Sequence, residues 1–210
     1  MFFKRIPVGP MQNNSYLIGC EKTKEALVVD CGFEAEKIQK IAKQNGYTIV
    51  GIVLTHVHYD HSGAADALSE ITKAPIYAHE KTEKKRGQKI NEGMWSIPKK
   101  FTPLTEGEEI AFGEESGRVL FAPGHQSDHI LFRTDLYLFT GDTLFIEGIG
   151  RTDFPDSSSE DMQRTLNTII DLPENLVICP GHDYGSVPMR KLAEERKYNM
   201  YLKKIIEHNN

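Results

Sequence analysis

The chain has 210 residues, 39% of them hydrophobic and 26% charged, with a formal net charge of −5. This balance fits one globular domain with a large core, and the mild acidity leaves no basic footprint for nucleic acid or an anionic membrane. No stretch has the length of a membrane span, and Met1–Pro7 lacks the apolar run of a signal peptide. Cys20, Cys31 and Cys179 form an odd, scattered set without a CxxC pair, which points to free thiols in the cytoplasm.

Strands are predicted over 2–8, 15–19 and 25–30, the last running through Ala26–Val29 to Asp30-Cys31-Gly32. Residues 34–45 place Ile38, Ile41 and Ala42 on one helical face and stop at Asn45-Gly46. A strand over 49–54 precedes a histidine cluster, and a helix over 62–71 turns Ala65, Leu68 and Ile71 inward. After a strand at 75–78, residues 81–100 are polar and weakly periodic, with Gly87, Gly93 and Pro98, and read as a long surface excursion. Strands near 108–112, 118–122, 129–133 and 136–140 form a β-rich block. A helix over 159–171 opens with Ser158-x-x-Asp161 and presents Met162, Leu166, Ile169 and Ile170 to a core. The last strand, 175–179, leads to His182, and the tail from about Val187 is helical. Strands in two runs with interleaved helices imply two sheets packed face to face and covered by helices.

Four of these strands end in turns that deliver histidine or aspartate. They run into Thr55-His56-Val57-His58-Tyr59-Asp60-His61, Pro123-Gly124-His125, Thr140-Gly141-Asp142 and Pro180-Gly181-His182. His56 and His58, two apart, face the same side of an extended segment. Spacing of this kind suits two neighbouring metals: His56, His58 and His125 for one, Asp60, His61 and His182 for the other, and Asp142 bridging both. Imidazole and carboxylate donors without sulfur suit Zn²⁺ first, with Fe²⁺ and Mn²⁺ also compatible. Three protein donors per ion leave positions for water, the mark of a catalytic site. Asp30, at another strand end, either supports a ligand from behind or caps the helix that follows it. His79, His129 and His208 are read as ordinary core or surface residues; His129 follows closely on His125 and is open to a supporting role, but alternation along strand 129–133 explains it as well.

These motifs resemble, in order, the metal motifs of the metallo-β-lactamase superfamily, and the similarity covers nearly the whole chain. The resemblance implies a four-layer αββα sandwich with its site at one edge between the sheets. Gly141–Phe145 followed by Gly148–Phe154, together with Gly181-His182-Asp183-Tyr184, looks like hydroxyacylglutathione hydrolase (glyoxalase II), especially its short form. The same residues are also similar to the persulfide dioxygenase branch. Asp142 in place of cysteine speaks against the commonest zinc β-lactamases, and His58 in place of glutamate against the diiron flavoproteins. Only 28 residues follow His182, so the helical domain with which full-length glyoxalase II grips glutathione is largely missing.

The resemblance implies metal-dependent hydrolysis of a small, anionic thioester by metal-bound hydroxide, which Asp60 orients. The alternatives are an iron-dependent sulfur dioxygenase, whose family binds a single iron at positions matching His56, His125 and Asp142, and a non-catalytic metal-binding protein. Arg151 serves either an anionic substrate group or a structural salt bridge, and Tyr184 either lines the pocket or packs in the core. The run Lys81, Lys84, Lys85, Arg86, Lys89 reads as a solvated face, with attraction of an anionic substrate as the second reading. Oligomeric state is not legible.

Overall fold

The structure, a computed structural model, describes residues 1–88 and 94–209. Lys89 and Gly93, both part of the predicted excursion, lie outside the described residues. The strands in chain order are β1 (Phe2–Val8), β2 (Asn13–Gly19), β3 (Glu25–Val29), β4 (Thr48–Val53), β5 (Ile76–His79), β6 (Thr102–Leu104), β7 (Glu109–Phe112), β8 (Glu115–Phe121), β9 (Ile130–Arg133), β10 (Tyr137–Gly141), β11 (Leu144–Phe145), β12 (Gly148–Ile149), β13 (Val177–Pro180) and β14 (Arg190–Lys191). The helices are α1 (Ala35–Gln44), α2 (Tyr59–Ser62), α3 (Ala65–Thr72), α4 (Ser159–Ile170), α5 (Leu192–Tyr198) and α6 (Met200–Asn209).

Two six-stranded sheets form, ordered β1-β2-β3-β4-β5-β6 and β14-β13-β10-β9-β8-β7, with β11 and β12 as a separate hairpin. Period-two alternation sorts each inner strand between two cores. Leu27 and Val29 of β3, Ile130 and Phe132 of β9, and Phe139 of β10 point between the sheets. Val28 and Ile52 face outward under Ile38, Ala42 and Leu68 of α1 and α3. Leu131, Leu138 and Ile178 face outward under Met162, Leu166 and Ile169 of α4. The result is the four-layer αββα sandwich expected from the motifs.

Several local expectations are corrected. The helix predicted over 62–71 starts only at Ala65, because Ser62 closes the separate short helix α2; Ile71, expected inward, is exposed. The excursion opens with a 3-10 helix, Glu80–Lys85, in which Thr82 and Lys85 are buried. The tail first adds β14 to the sheet and then breaks at Asn199 between α5 and α6. Asn199 Oδ1 accepts from the Tyr201 N–H at 3.0 Å, restarting the helix. Its Nδ2 donates to the Gly148 carbonyl at 3.0 Å, tying the tail to the β11–β12 hairpin.

Candidate metal centre

Strand direction explains why the site lies at one edge. β3 and β4 are parallel, so Asp30 and the Thr55–His61 turn leave the first sheet on the same side. β9 runs antiparallel to both β8 and β10, and β10 is parallel to β13. The turns bearing His125, Asp142 and His182 therefore leave the second sheet together. Where Gly141 carries φ 46°, a Cβ would stand 2.5 Å from Thr55 Oγ1 and 2.7 Å from His129 Nε2. At Gly181 it would stand 2.6 Å from both Asp142 Oδ1 and His61 Cε1. Neither turn has room for a side chain.

All seven residues named from the sequence meet here. His58 Nδ1 lies 3.0 Å from His56 Nε2 and 3.1 Å from His125 Nε2. Beside this triad, His61 Nε2 and His182 Nε2 are 3.2 Å apart, and Asp60 Oδ2 is 3.5 Å from the former and 3.3 Å from the latter. Asp142 stands between them, with Oδ1 3.2 Å from His61 Nε2 and Oδ2 3.6 Å from His125 Nε2 and 3.4 Å from His182 Nε2. A cleft of about 490 Å³ opens over both triads.

Backbone and side-chain partners fix which nitrogen faces the site in four of the five rings. His125 Nδ1–H donates to the Arg151 carbonyl and His182 Nδ1–H to the Met11 carbonyl, each at 2.9 Å. His61 Nδ1–H donates to Asp30 Oδ2 at 2.9 Å. The Thr55 hydroxyl donates to the same carboxylate oxygen at 2.8 Å and accepts from His56 Nδ1–H at 3.1 Å. Four Nε2 atoms thus face the site, as ligand histidines held from behind require. Asp30 therefore lies behind His61 and Thr55; its carboxylate does not cap α1, whose N-cap position is Glu34.

The electrostatics call for positive charge. Burial, with the neighbouring imidazoles, holds His56 well below its ordinary pKa, and burial and His125 take His58 to about 3. Burial works against charge on His182 as well, yet hydrogen bonds to Asp142 and Asp60 raise it to about 9. His61 is also raised well above its ordinary value, burial being overridden by Asp142 and Asp30. Asp142 remains far below the carboxylate range despite burial, because of His61. Asp142 Oδ1 and His58 Nε2 are buried with no hydrogen-bond partner. A tetrahedral zinc with Zn–N of about 2.0–2.1 Å spaces its nitrogens by about 3.3 Å, close to the spacing in both triads. The donor types, their spacing and the unpartnered Asp142 oxygen fit divalent cations, which would take the place of the protons on His61 and His182.

Arg151 and Tyr184 line the cleft. The Arg151 guanidinium pairs with both Asp153 oxygens at 2.6 and 2.7 Å and stacks over Phe154 at 4.3 Å. Tyr184 is 55% exposed, which removes core packing as its role, and its ring lies parallel to His182 at 4.6 Å. Lys85 departs from both readings of the basic run: it is buried and ion-paired, neither a solvated cation nor a lure. His79 stacks on Phe121 away from the site.

Sequence reasoning undervalued three residues. His129 stacks on His56 at 4.8 Å, and its Nε2 accepts from the Asp142 N–H at 3.1 Å. Asn13 Nδ2 donates to Asp60 Oδ2 at 3.0 Å. Thr55 joins Asp30 to His56. The four-residue gap from His125 to His129 was the only available signal; Asn13 had none.

The metallo-β-lactamase superfamily model matches residues 8–182. The chain is 32% identical to a probable metallo-hydrolase, YqgX, of Bacillus subtilis, covering 96% of this chain and 98% of that one. It is 35% identical to the hydroxyacylglutathione hydrolase of Idiomarina loihiensis, covering 93% and 71%. Among solved structures, the BLEG-1 B3 metallo-β-lactamase superposes with a TM-score of 0.85 at 30% identity, over 96% of this chain and 99% of that chain. ETHE1 from Myxococcus xanthus superposes at 0.83 and 27%, covering 100% and 92%. TTHA1623 in a di-iron-bound form superposes at 0.78 and 29%, covering 95% and 100%. With both donor triads at the sheet edge and a family match over most of its length, the chain belongs to the metallo-β-lactamase superfamily, a superfamily of metallo-hydrolases.

Proposed function

We propose that the chain hydrolyses a thioester of the hydroxyacylglutathione kind. The observation that carries this reading is the cleft opening directly over both triads, with Asp142 between them. The identity to hydroxyacylglutathione hydrolase supports the substrate class. His56, His58 and His125 would hold one divalent ion and Asp60, His61 and His182 the other, with Asp142 between; zinc leads, and iron or manganese suit the same donors. When bound, the ions supply a water of pKa about 7 and stabilise developing oxyanion charge.

The protein's own residues do the rest. Asp60, steadied by Asn13, offers Oδ2 to orient the attacking water. Phe145, Ile149 and Phe154 give the cleft apolar walls that exclude competing water. At the mouth, Arg151 and Tyr184 face the thiol carrier; an anionic group there shares the guanidinium with Asp153. A thiolate leaves without a proton, so the reaction needs no general acid.

A second reading, a sulfur dioxygenase with one iron on His56, His125 and Asp142, is favoured by the full-length likeness to ETHE1. Metal quantification on protein purified without added metal, followed by S-lactoylglutathione turnover and oxygen uptake on glutathione persulfide, separates the two. Two ions and hydrolysis support the first reading. One iron with oxygen consumption replaces it, and full metal occupancy with neither activity leaves a non-catalytic metal-binding protein.

A further inference from the structure

Lys85 is 2% exposed and outside both donor triads. Its Nζ lies 2.5 Å from Asp128 Oδ1 and 2.8 Å from Asp156 Oδ2. It also donates to Gln126 Oε1 at 2.7 Å and sits 4.8 Å over the Trp95 ring. Burying the Lys85 ammonium and the Asp128 carboxylate, with Asp156 half-buried beside them, costs desolvation, and many such clusters add little to stability. What this cluster joins is more informative than its energy.

Three of the four partners lead to a residue of the first triad. Gln126 Oε1 also accepts from Trp95 Nε1–H at 2.9 Å, while its Nε2 donates to the His125 carbonyl at 3.0 Å. Trp95 forms an antiparallel bridge with His58, flanked by Tyr59 N–H to the Met94 carbonyl at 2.8 Å and Ser96 N–H to the Val57 carbonyl at 2.9 Å. Asp156 Oδ2 accepts from the Ser127 N–H at 3.0 Å, and the neighbouring Ser157 hydroxyl donates to the His125 carbonyl at 2.6 Å. Asp128 Oδ2 accepts from the Thr82 hydroxyl at 2.7 Å, closing the network onto the helical turn that carries Lys85. By contrast, the second triad is backed by Asp30, Asn13 and the Met11 carbonyl, none of which touches this cluster.

We propose that Lys85 is the positioning residue of the first metal site: through Gln126, Asp128 and Asp156 it fixes the backbone bearing His125 and the 94–96 segment that backs His58. It touches neither ring. The inference rests on the reading that His56, His58 and His125 hold a metal. A merely structural ion pair would lower stability alone; a positioning residue alters one site selectively.

The test titrates the metal-free full chain with Co²⁺ against a competing chelator, with His58→Ala identifying the first site. Lys85→Met and Gln126→Met are expected to weaken that site by about 10–100-fold and the other by less than about threefold. Ile38→Ala, destabilised in the core under α1, is expected to keep both affinities. The proposal is overturned if Lys85→Met binds like wild type, if both sites weaken equally, or if Ile38→Ala shows the same loss. Should Lys85→Met not fold, the uncharged Gln126→Met decides by the same criterion. Wild-type protein that takes up no cobalt overturns the metal reading and this proposal together, whereas two undiminished sites in the variants overturn the proposal alone.

Discussion

Replacing Asp30 by Asn tests whether a residue outside the cleft sets the chemistry of His61. In the native protein Asp30 Oδ1 accepts from the Thr55 N–H at 2.8 Å, while Oδ2 accepts from the Thr55 hydroxyl at 2.8 Å and from His61 Nδ1–H at 2.9 Å. Asparagine keeps the size and tolerates the positive φ of 58°, so the fold is expected to survive. With its oxygen on Thr55 N–H, however, its amide NH₂ faces His61 Nδ1. The imidazole then satisfies that donor only by accepting at Nδ1 and carrying its proton on Nε2, the atom aimed into the second triad. Restoring the Nε2 lone pair sets N–H against N–H and forfeits a charge-assisted hydrogen bond of about 1.5–3 kcal/mol, a loss of about 10- to 150-fold in affinity. Zinc titration of the metal-free variant against a chelator reads this directly: one site weakened by that factor, the other unchanged. Two sites of wild-type affinity in Asp30→Asn would refute the tautomer argument.

Three further outcomes are expected. His56→Ala and Asp142→Ala fold, as judged by circular dichroism, but reduce S-lactoylglutathione turnover to background; undiminished turnover in Asp142→Ala would remove its bridging role. In the metal-free protein, the pKa of His182 at about 9 and the raised pKa of His61 keep both rings protonated at pH 7.5. Binding needs their lone pairs, so zinc uptake at that pH releases about two protons, measurable by calorimetry in buffers of different ionisation enthalpy; release of none contradicts the charge assignment. Finally, free zinc at about 100 times its Kd stabilises the fold by about 2.7 kcal/mol for each site filled, which for a chain of this length raises Tm by about 5–11 °C per site. Scanning calorimetry with and without chelator checks this.

The donors were legible because each follows a buried strand and a short turn: a glycine with no room for a side chain precedes His125, Asp142 and His182, and Thr55 precedes His56. The layering was legible for the same reason: strict alternation such as Leu27-Val28-Val29 sends neighbours into different cores. What escaped was set by partners remote in the chain. Lys85 sits in a run of cations that looks solvated, and only the arrival of Asp128 and Asp156 makes its burial tolerable. His129 satisfied strand alternation equally well with or without a role, until folding brought the Asp142 amide to it. The break at Asn199 belongs to the same class, since its side chain answers carbonyls of a hairpin some fifty positions earlier.

The donors are divided across the sandwich: His56, His58, Asp60 and His61 come from the first sheet, His125, Asp142 and His182 from the second. In the proposed two-ion arrangement, neither half would supply three groups to an ion unless the opposite half contributed. A bound cation is therefore a staple across the seam, and tight metallation certifies that the two halves have closed in register. Stripping the ions should loosen that joint while leaving each half's own interior intact.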